Sequence, residues 1–348
     1  MPRVGRAQGQ RAVRARREAG IDPICHTLVG AGLARSGLGR RSALGSATLL
    51  VGANLPDIDV LAYLGDPAAD LAFRRGWTHG VLAMAVLPFL LAGMMVGVDR
   101  LGRRIGGSVL PSRASPRQLL LLSAISIVSH PILDTLNTYG MRWLMPFDGR
   151  WFYGDALFIV DPWLWLALGF GVVLSRRRRA GGRGLAPERT GPARAALAFT
   201  AVYAGAMALS GAAARGIVRA DLERRGGPLD ALMVAPLPAT PFSRTVVAAQ
   251  GDEYRLARFR WLERPRLDPA ALRSFPRGRP PHPAVEAATS TPVAQRFLGW
   301  ARFPSYRVED RGAGAYLVHI MDLRYADRPG VSFGSVSIPV RLDAAPTP

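Results

Sequence analysis

Apolar residues are concentrated between about Ile24 and Val218, in blocks that arginine-rich connectors separate. The first two blocks, 24–38 and 43–53, are too short to cross a hydrocarbon core that requires about 20 helical residues. The turn at 39–42 between them predicts a helical hairpin whose two ends lie on the same side. Four further blocks are expected to be membrane spans: 81–98, 118–136, the run that ends at Leu174, and 193–218. This pattern is typical of a polytopic membrane protein.

The pattern changes after Arg219, where proline-rich connectors separate short segments in which polar and apolar residues alternate. Such segments occur at 244–249, 254–261, 315–325 and 331–342. Alternation of this kind indicates β-strands with one buried face. The sequence therefore predicts a mainly α membrane helical bundle, with the N-terminal hairpin and about four spans, followed by a small, mainly β soluble domain.

The same changes of composition predict how the chain is divided. We expect a basic, disordered N-terminal extension followed by a membrane-embedded core, an arginine- and glycine-rich linker, a last transmembrane helix and a C-terminal soluble domain. The corresponding ranges are 1–21, 22–175, 176–192, 193–218 and 219–348.

The formal net charge of +20 would ordinarily indicate nucleic-acid binding, because basic side chains neutralise phosphates. Here the basic residues are arginines, and many of them flank apolar blocks, where they determine membrane topology. We therefore expect the lipid bilayer as partner and no nucleic acid. The connectors 99–117 and 175–194 are expected on the cytoplasmic side of a bacterial inner membrane. The candidate site and the C-terminal domain would then lie on the extracytoplasmic side.

Histidine and aspartate residues lie where the apolar blocks end. His130 and Asp134 are four residues apart and therefore share one face of a helix, which is a spacing of metal ligands. His26 opens the hairpin and should return beside the segment that follows it. Cys25 is the only cysteine, which excludes an intrachain disulfide and a cysteine-based zinc knuckle. A metal site would need imidazole and carboxylate ligands.

Two aspartates follow the hairpin. Pro56 disfavours helix in the residue before it, so Asp57 and Asp59 are expected on an extended turn with both carboxylates facing one spot. Such crowding is costly unless a cation or a shared proton relieves it. A solvated acidic turn is the alternative.

The third cluster precedes the block at 81–98. Thr78 is expected to be the N-cap of that helix, which would place His79 in its first turn. The guanidinium of Arg75 suits a phosphate or a carboxylate. A lone histidine at this place is more often structural, but the neighbouring Arg75 and Asp57 favour a ligand.

Five motifs occur in a fixed order along the chain: Asp22-Pro23-x-x-His26, Asn54-x-Pro56-Asp57-x-Asp59, Arg75-Gly76-x-Thr78-His79-Gly80, His130-x-x-x-Asp134 and Asp161-Pro162. In this order they resemble the bacterial YdjM-like family of LexA-binding, inner-membrane-associated proteins, which are regarded as metal-dependent hydrolases. The resemblance covers about residues 22–175. Members commonly begin close to the first motif, so we expect translation to start near Ile21.

The resemblance implies a membrane-bound, metal-dependent hydrolase. The order of the ligands is also distantly similar to that of zinc-dependent phospholipase C and P1-type nucleases. This chain lacks the later histidine and the His-x-x-x-Glu pair of those enzymes, and Asp155 and Asp161 are the candidates to replace them.

We expect the reaction to be attack of a metal-activated water on a phosphoester, which includes lipid substrates. Asp59 would be a bridging ligand, a partner that orients a histidine, or the general base, and Arg75 would neutralise phosphoryl oxygens. The alternative is a non-enzymatic metal-binding membrane sensor or scaffold. The metal is expected to be divalent, with Zn²⁺ favoured and Mn²⁺ or Mg²⁺ as alternatives, and its ligands to be His26, Asp57, His79, His130 and Asp134.

Overall fold

The computed structural model describes residues 23–64, 73–106, 113–176, 189–264, 266–267, 270, 272–326 and 333–342. Within these ranges the chain forms a mainly helical part up to Gly226 and a C-terminal part with two antiparallel sheets. The predicted fold class is confirmed. The expected extension at 1–21 and most of the expected linker at 176–192 lie outside the described residues.

The helical part contains the membrane-spanning candidates. Its helices are α1 (Pro23–Arg35), α2 (Gly45–Asn54), α3 (Val81–Arg104), α4 (Pro116–Thr135), α5 (Pro162–Leu174) and α6 (Thr190–Gly226), with 3₁₀ segments at Leu38–Arg40 and Leu55–Leu64. Among the described residues, three helices are long and apolar enough to cross a membrane, namely α3, α4 and α6. The expected span that ends at Leu174 forms only the 13-residue α5, which is about 20 Å long at 1.5 Å per residue.

The helical hairpin forms as predicted from α1 and α2. The two helices pack closely because Gly30 has no side chain: a Cβ there would lie 2.8 Å from the carbonyl oxygen of Leu49. The open ends of the hairpin meet where Thr27 Oγ1 donates a hydrogen bond of 3.0 Å to Asn54 Oδ1. His26 therefore returns to the segment that carries Asp57.

Two local predictions near the hairpin are wrong. Asp57 and Asp59 do not lie on an extended turn, because α2 passes directly into the 3₁₀ segment Leu55–Leu64. Pro56 is the second residue of that segment, where its fixed φ angle fits and its missing N–H leaves no bond unmade. Thr78 is not the N-cap of α3, which begins at Val81.

The first turn of α3 has a backbone partner instead of a side-chain cap. The N–H of Val81 donates to the carbonyl oxygen of Trp143 at 2.8 Å. This bond ties the start of α3 to the loop that follows α4, and it leaves the hydroxyl of Thr78 free to serve the site.

Contacts between the connectors show which ends of the helices lie together. Ser115 N, before α4, donates to Ser42 Oγ at 2.9 Å, and Arg194 Nε, in α6, donates to Ser36 O at 2.9 Å. The turn of the hairpin and the described ends of both arginine-rich connectors are therefore at one end of the bundle. The histidine and aspartate motifs are at the other end.

The C-terminal part contains two sheets with two helices between them. The first sheet has sequential strands β1 (Ala231–Leu237), β2 (Thr240–Gln250), β3 (Glu253–Arg260) and β4 (Arg273–Pro276); the second has β5 (Pro304–Asp310), β6 (Ala315–Asp322) and β7 (Ser335–Arg341). The helices are α7 (Pro283–Thr289) and α8 (Pro292–Trp300). The four predicted strand segments are confirmed. The strands β1, β4 and β5 were missed. In β1, five of the seven residues are buried, so polar and apolar positions do not alternate.

The last span is longer than the expected 193–218. Its final turns remain helical with Arg225 paired to Asp221 at 3.1 Å and Arg219 paired to Glu223 at 3.1 Å. The first sheet docks on this helix through Arg244, which is fully buried. Its Nη2 donates to Met207 O at 2.9 Å, and Gly211 leaves the room that the guanidinium occupies.

A candidate metal centre at the end of the helical bundle

Four of the predicted ligands converge at the end of the bundle. Asp57, His79, His130 and Asp134 each offer one ligand atom, and these atoms all lie within 4.8 Å of one another. Asp57 comes from the 3₁₀ segment after α2, His79 from the loop before α3, and the other two from the last turns of α4. His79 and His130 are fully buried. The group could therefore hold one metal ion away from bulk water.

The ligand atoms face one another at short range. The Nε2 atoms of His79 and His130 are 3.2 Å apart. Asp134 Oδ2 lies 3.5 Å from His79 Nε2 and 3.4 Å from His130 Nε2. Asp57 Oδ1 lies 3.8 Å and 3.5 Å from the same two nitrogens. Two imidazole nitrogens and two carboxylates thus surround one point.

The outer nitrogen of each imidazole has a partner that fixes the ring. His130 Nδ1 lies 2.7 Å from the carbonyl oxygen of Ala53, which can only accept a hydrogen bond. His79 Nδ1 lies 3.4 Å from Asp59 Oδ2 and 2.9 Å from Thr78 Oγ1. Protons on both Nδ1 atoms leave both Nε2 lone pairs pointing into the group. Metal-binding histidines commonly use this arrangement.

The carboxylates have oxygens without protein partners. Among the described residues, Asp57 Oδ2 and Asp134 Oδ2 are buried without a hydrogen bond. Burying such atoms unpaired is costly, and a cation would satisfy them. Two nitrogens and two carboxylate oxygens form a donor set that suits Zn²⁺ and also admits other divalent ions.

The ionisation state of His79 also suits a metal ligand. Burial lowers the pKa of His79 below its ordinary value, although the nearby carboxylates of Asp134 and Asp59 act in the opposite direction. The neutral imidazole is the form that binds metal. The site therefore presents this ligand ready at neutral pH.

His26 lies beside the group of four and is not one of its members. Its ring stacks on that of His130 with centroids 3.7 Å apart. Its Nε2 is 3.4 Å from Asp134 Oδ1, the oxygen that faces away from the other imidazoles. The Nδ1 of His26 is buried and has no hydrogen-bond partner among the described residues.

Asp59 lies behind His79 and does not face the point that the four ligand atoms surround. Asp59 Oδ2 accepts a hydrogen bond of 2.9 Å from the backbone N–H of Arg75 and lies within 3.4 Å of His79 Nδ1. Asp57 and Asp59 therefore face different partners, because the 3₁₀ turn separates side chains that an extended turn would align.

Arg75 forms one wall of the site. Its Nη2 is 2.9 Å from Asp134 Oδ1, its Nη1 donates to Asn137 Oδ1 at 3.1 Å, and its guanidinium lies 4.6 Å from the centre of the Tyr139 ring. Its backbone has a φ of 49°, a strained value for a residue other than glycine. A cavity of about 30 Å³ adjoins the side chain of Arg75. The polar residues that line this cavity are His26, Arg75, Asp134, Asn137 and Asp161.

Asp155 and Asp161, the candidates for extra ligands, have other partners. Asp155 Oδ2 accepts from Arg302 Nη1 at 2.8 Å and from Arg215 Nη2 at 3.4 Å. Asp161 Oδ1 accepts from the first N–H groups of α5, at Trp163 and Leu164. Neither aspartate belongs to the group of four, although Asp161 borders the cavity.

The C-terminal part contributes a contact that no local sequence pattern indicates. Arg324 Nη1 donates to Thr138 O at 2.8 Å, and Trp300 Nε1 donates to Tyr139 O at 3.1 Å. Asn137 in the same loop holds Arg75. The polar run after His130-x-x-x-Asp134 is the available signal in the sequence for this loop.

The comparisons with known proteins agree with these motifs. The curated relative "Uncharacterized protein YfhP" from Bacillus subtilis (strain 168) is 23% identical over 118 residues, which are 34% of this chain and 32% of that protein. The alignment thus spans about a third of YfhP, and no solved structure matches the chain. The family model described as YdjM inner membrane protein matches residues 21–214, which is more than half of the chain and includes the whole candidate metal centre. The resemblance predicted from the motifs is confirmed: this chain belongs to the YdjM inner membrane protein family.

Proposed function

We propose that this inner-membrane protein is a divalent-metal-dependent hydrolase that cleaves a phosphoester at the membrane surface. One observation carries the proposal: two imidazole Nε2 atoms lie 3.2 Å apart, with two carboxylates beside them and acceptors behind both rings. We favour Zn²⁺ because imidazole and carboxylate ligands suit it, with Mn²⁺ and Mg²⁺ as alternatives.

The four converging residues would hold the ion. When bound, such an ion supplies a water whose pKa is lowered to about 7 and a Lewis acid for the phosphoryl group. Asp59 would orient His79 through Nδ1. Of the three roles that the sequence left open for Asp59, this is the partner that orients a histidine. Partners of this kind change metal affinity although they do not touch the metal.

Arg75 and His26 would serve the substrate side. The guanidinium of Arg75 borders the small cavity and suits the phosphoryl oxygens. His26 borders the same cavity, and its Nδ1 can hold or deliver a proton there. This role for His26 replaces the expected one as a ligand.

Exposed apolar residues beside the ligands favour a lipid substrate. Ile58 follows Asp57 and is 48% exposed, and Trp77 lies two residues before His79 and is 49% exposed. Leu61 in the same 3₁₀ segment is also exposed. An apolar surface next to a polar site at the end of membrane-spanning helices suits a molecule with a phosphate headgroup and acyl chains.

A metal-binding sensor or scaffold is the second candidate. The complete burial of His79 and His130 and a cavity of about 30 Å³ favour it, because such a cavity has room for about one water. A sensor would bind metal without turning over a substrate. The two candidates therefore differ in activity and agree in metal content.

The test uses the purified full-length protein in detergent, stripped of metal and reloaded with Zn²⁺, Mn²⁺ or Mg²⁺. A panel of phospholipids and nucleotide phosphoesters is assayed for product release. We expect metal-dependent turnover that falls at least about 100-fold in His130→Ala and in Asp57→Ala. His319→Ala is the control, since this imidazole contacts Ser337 and Glu309 in the second sheet. Full activity with metal bound in both site variants would refute the proposal, and metal binding without any turnover would favour the sensor.

We further propose that the metal centre faces the extracytoplasmic side. The turn of the hairpin and the arginine-rich connectors lie together at the opposite end of the bundle, and arginines favour the cytoplasmic side. Reporter fusions at the C-terminus and in the 107–112 connector would test this orientation. The reporter is an enzyme that is active only outside the cytoplasm. We expect activity from the C-terminal fusion and none from the fusion at 107–112, and activity from the fusion at 107–112 alone would contradict the proposal.

A further inference from the structure

A second pocket lies between the last turns of α6 and the segment that follows β3. We propose that this pocket binds the phosphate headgroup of an anionic phospholipid and thereby fixes the C-terminal part to the bilayer surface. The pocket is lined by other residues than the metal centre, and the inference does not rest on the proposed catalytic function.

The lining of the pocket combines basic and apolar residues. Its volume is about 370 Å³. The apolar contribution comes from Ile217, Val218 and Leu267. The charged lining residues are one carboxylate, Asp221, and four guanidiniums, Arg224, Arg225, Arg264 and Arg266. The lining residues therefore carry three positive charges more than negative ones.

The single carboxylate of the pocket is already engaged. Asp221 Oδ2 pairs with Arg225 Nε at 3.1 Å, and Asp221 Oδ1 accepts from Arg224 Nη2 at 3.4 Å. The nearby acid Glu263 pairs with Arg260 outside the pocket. Among the described residues, Arg264 and Arg266 have no carboxylate partner.

Arg266 is held in place by an aromatic ring. Its guanidinium carbon lies 5.3 Å from the centre of the Trp261 ring, a geometry that orients the side chain and leaves its N–H groups available. Guanidiniums gathered without enough carboxylates repel one another, and a phosphate relieves this repulsion through charge-assisted hydrogen bonds. The pocket therefore suits an anion with several acceptor oxygens.

The height of the pocket along α6 favours a lipid over a free ion. The residues 195–214 contain no charged side chain, and the membrane-embedded part of α6 ends within this stretch, because the first sheet already packs against Met207 through Arg244. Ile217 lies three residues beyond the uncharged stretch, at the end of α6 that leaves the membrane. The pocket therefore lies on the headgroup side of this span, where lipid phosphates are concentrated.

Aromatic and apolar side chains near the pocket are typical of a membrane interface. The indole Nε1 of Trp261 donates to Ser210 Oγ at 3.0 Å, near the end of the uncharged stretch. Leu262 is 77% exposed and Phe242 is 51% exposed. Aromatic side chains are enriched at membrane–water interfaces. The apolar residues that line the pocket suit the glycerol and first acyl carbons of a lipid.

The test measures lipid binding by the purified full-length protein in a neutral detergent. The probes are a short-chain phosphatidylglycerol, the matching phosphatidylcholine and inorganic phosphate, and bound lipid is counted by native mass spectrometry. We expect phosphatidylglycerol to bind at least about tenfold more tightly than phosphatidylcholine. The double variant Arg264→Gln/Arg266→Gln should lose this preference.

The control variant, Arg258→Gln/Arg307→Gln, removes the same charge from exposed strand positions outside the pocket. It should bind phosphatidylglycerol within about twofold of wild type, and both double variants should retain the wild-type circular dichroism spectrum. The preference should also persist in EDTA and in a His130→Ala background, which separates this pocket from a substrate site at the metal centre.

Three outcomes would overturn the inference. The pocket variant and the control variant could lose binding equally, which would indicate an unspecific charge effect. Inorganic phosphate could compete as strongly as the lipid, which would make the pocket a site for the free ion. Phosphatidylcholine could bind as tightly as phosphatidylglycerol, which would remove the role of the arginines.

Discussion

Two buried polar clusters lie close together in this protein, and they differ in how well their atoms are paired. The candidate metal centre contains Asp57 Oδ2, Asp134 Oδ2 and His26 Nδ1, which are buried and lack a hydrogen-bond partner among the described residues. The second cluster is built on Arg324 and Asp322, and it satisfies its members within the protein.

The Arg324 cluster is fully engaged. Arg324 Nε donates to Asp322 Oδ2 at 2.8 Å, Nη1 to Thr138 O at 2.8 Å and Nη2 to Trp300 O at 3.0 Å. Asp322 also accepts from the backbone N–H of Arg302 at 2.7 Å. A network whose members are all paired needs nothing from outside and stabilises one packing of the chain.

The difference in pairing indicates that the Arg324 cluster stabilises the fold and that the candidate metal centre can bind an ion. A buried charge persists when protein groups pair it, and a group that lacks such pairs needs an ion or a ligand. The two clusters are also connected, since Arg324 holds the loop whose Tyr139 lies under the guanidinium of Arg75. The C-terminal part therefore supports the wall of the site.

The largest effect is expected from breaking the paired cluster. Asp322→Ala would leave Arg324 buried without its carboxylate, which costs about 3–5 kcal/mol and should lower the apparent Tm by on the order of 10 °C. The measurement is thermal unfolding in detergent, followed by tryptophan fluorescence. Asp230→Ala is the control, because its partnership with Arg277 is at the surface and is worth at most about 1 kcal/mol. Equal shifts in the two variants would contradict the structural role of the cluster.

An intermediate effect is expected from a change at Asp59, which lies behind His79 at the candidate metal centre. Asp59→Asn keeps the shape of the side chain and weakens its hold on His79 Nδ1, so metal affinity should fall about 10–100-fold. Competition with a fluorescent chelator measures this affinity. The matched control is Asp99→Asn, a buried carboxylate that pairs with Arg103 on α3. Unchanged affinity in the Asp59 variant would exclude a role as the orienting partner.

The smallest effect is expected from a change at Asp161, a paired carboxylate that borders the cavity beside Arg75. Asp161→Ala removes the N-cap of α5, which should lower stability by about 1 kcal/mol and leave the amount of bound metal unchanged. Thermal unfolding and metal analysis on the same sample test both expectations. Loss of metal from this variant would restore Asp161 as a ligand and weaken the distinction between paired and unpaired groups.

Local patterns predicted much of the fold and most of the centre. The i, i+4 spacing of His130 and Asp134 is a property of helix geometry, and the short hairpin predicted the return of His26 from block lengths alone. The fold class followed from the change of hydrophobic period after Arg219, because membrane helices and half-buried strands differ in period.

What the sequence could not provide depends on contacts between distant segments. Asp57 and Asp59 were expected to face one spot, but a 3₁₀ turn separates them, and Thr78 contacts His79 in place of capping a helix. Arg324 meets Thr138 across 186 positions, and no local pattern indicates that pairing. The convergence of the candidate ligands was therefore more predictable than the contacts that support them.

The most direct test of the metal centre is the metal content of the purified protein, measured by inductively coupled plasma mass spectrometry. The wild type should carry about one divalent ion per chain or more, and His79→Ala/His130→Ala should carry less than about a tenth of that amount. The control His282→Ala/His319→Ala, which removes two imidazoles from the C-terminal part, should match the wild type. A wild-type protein that binds no divalent metal when it is supplied, or a site variant that keeps the full amount, would contradict the assignment.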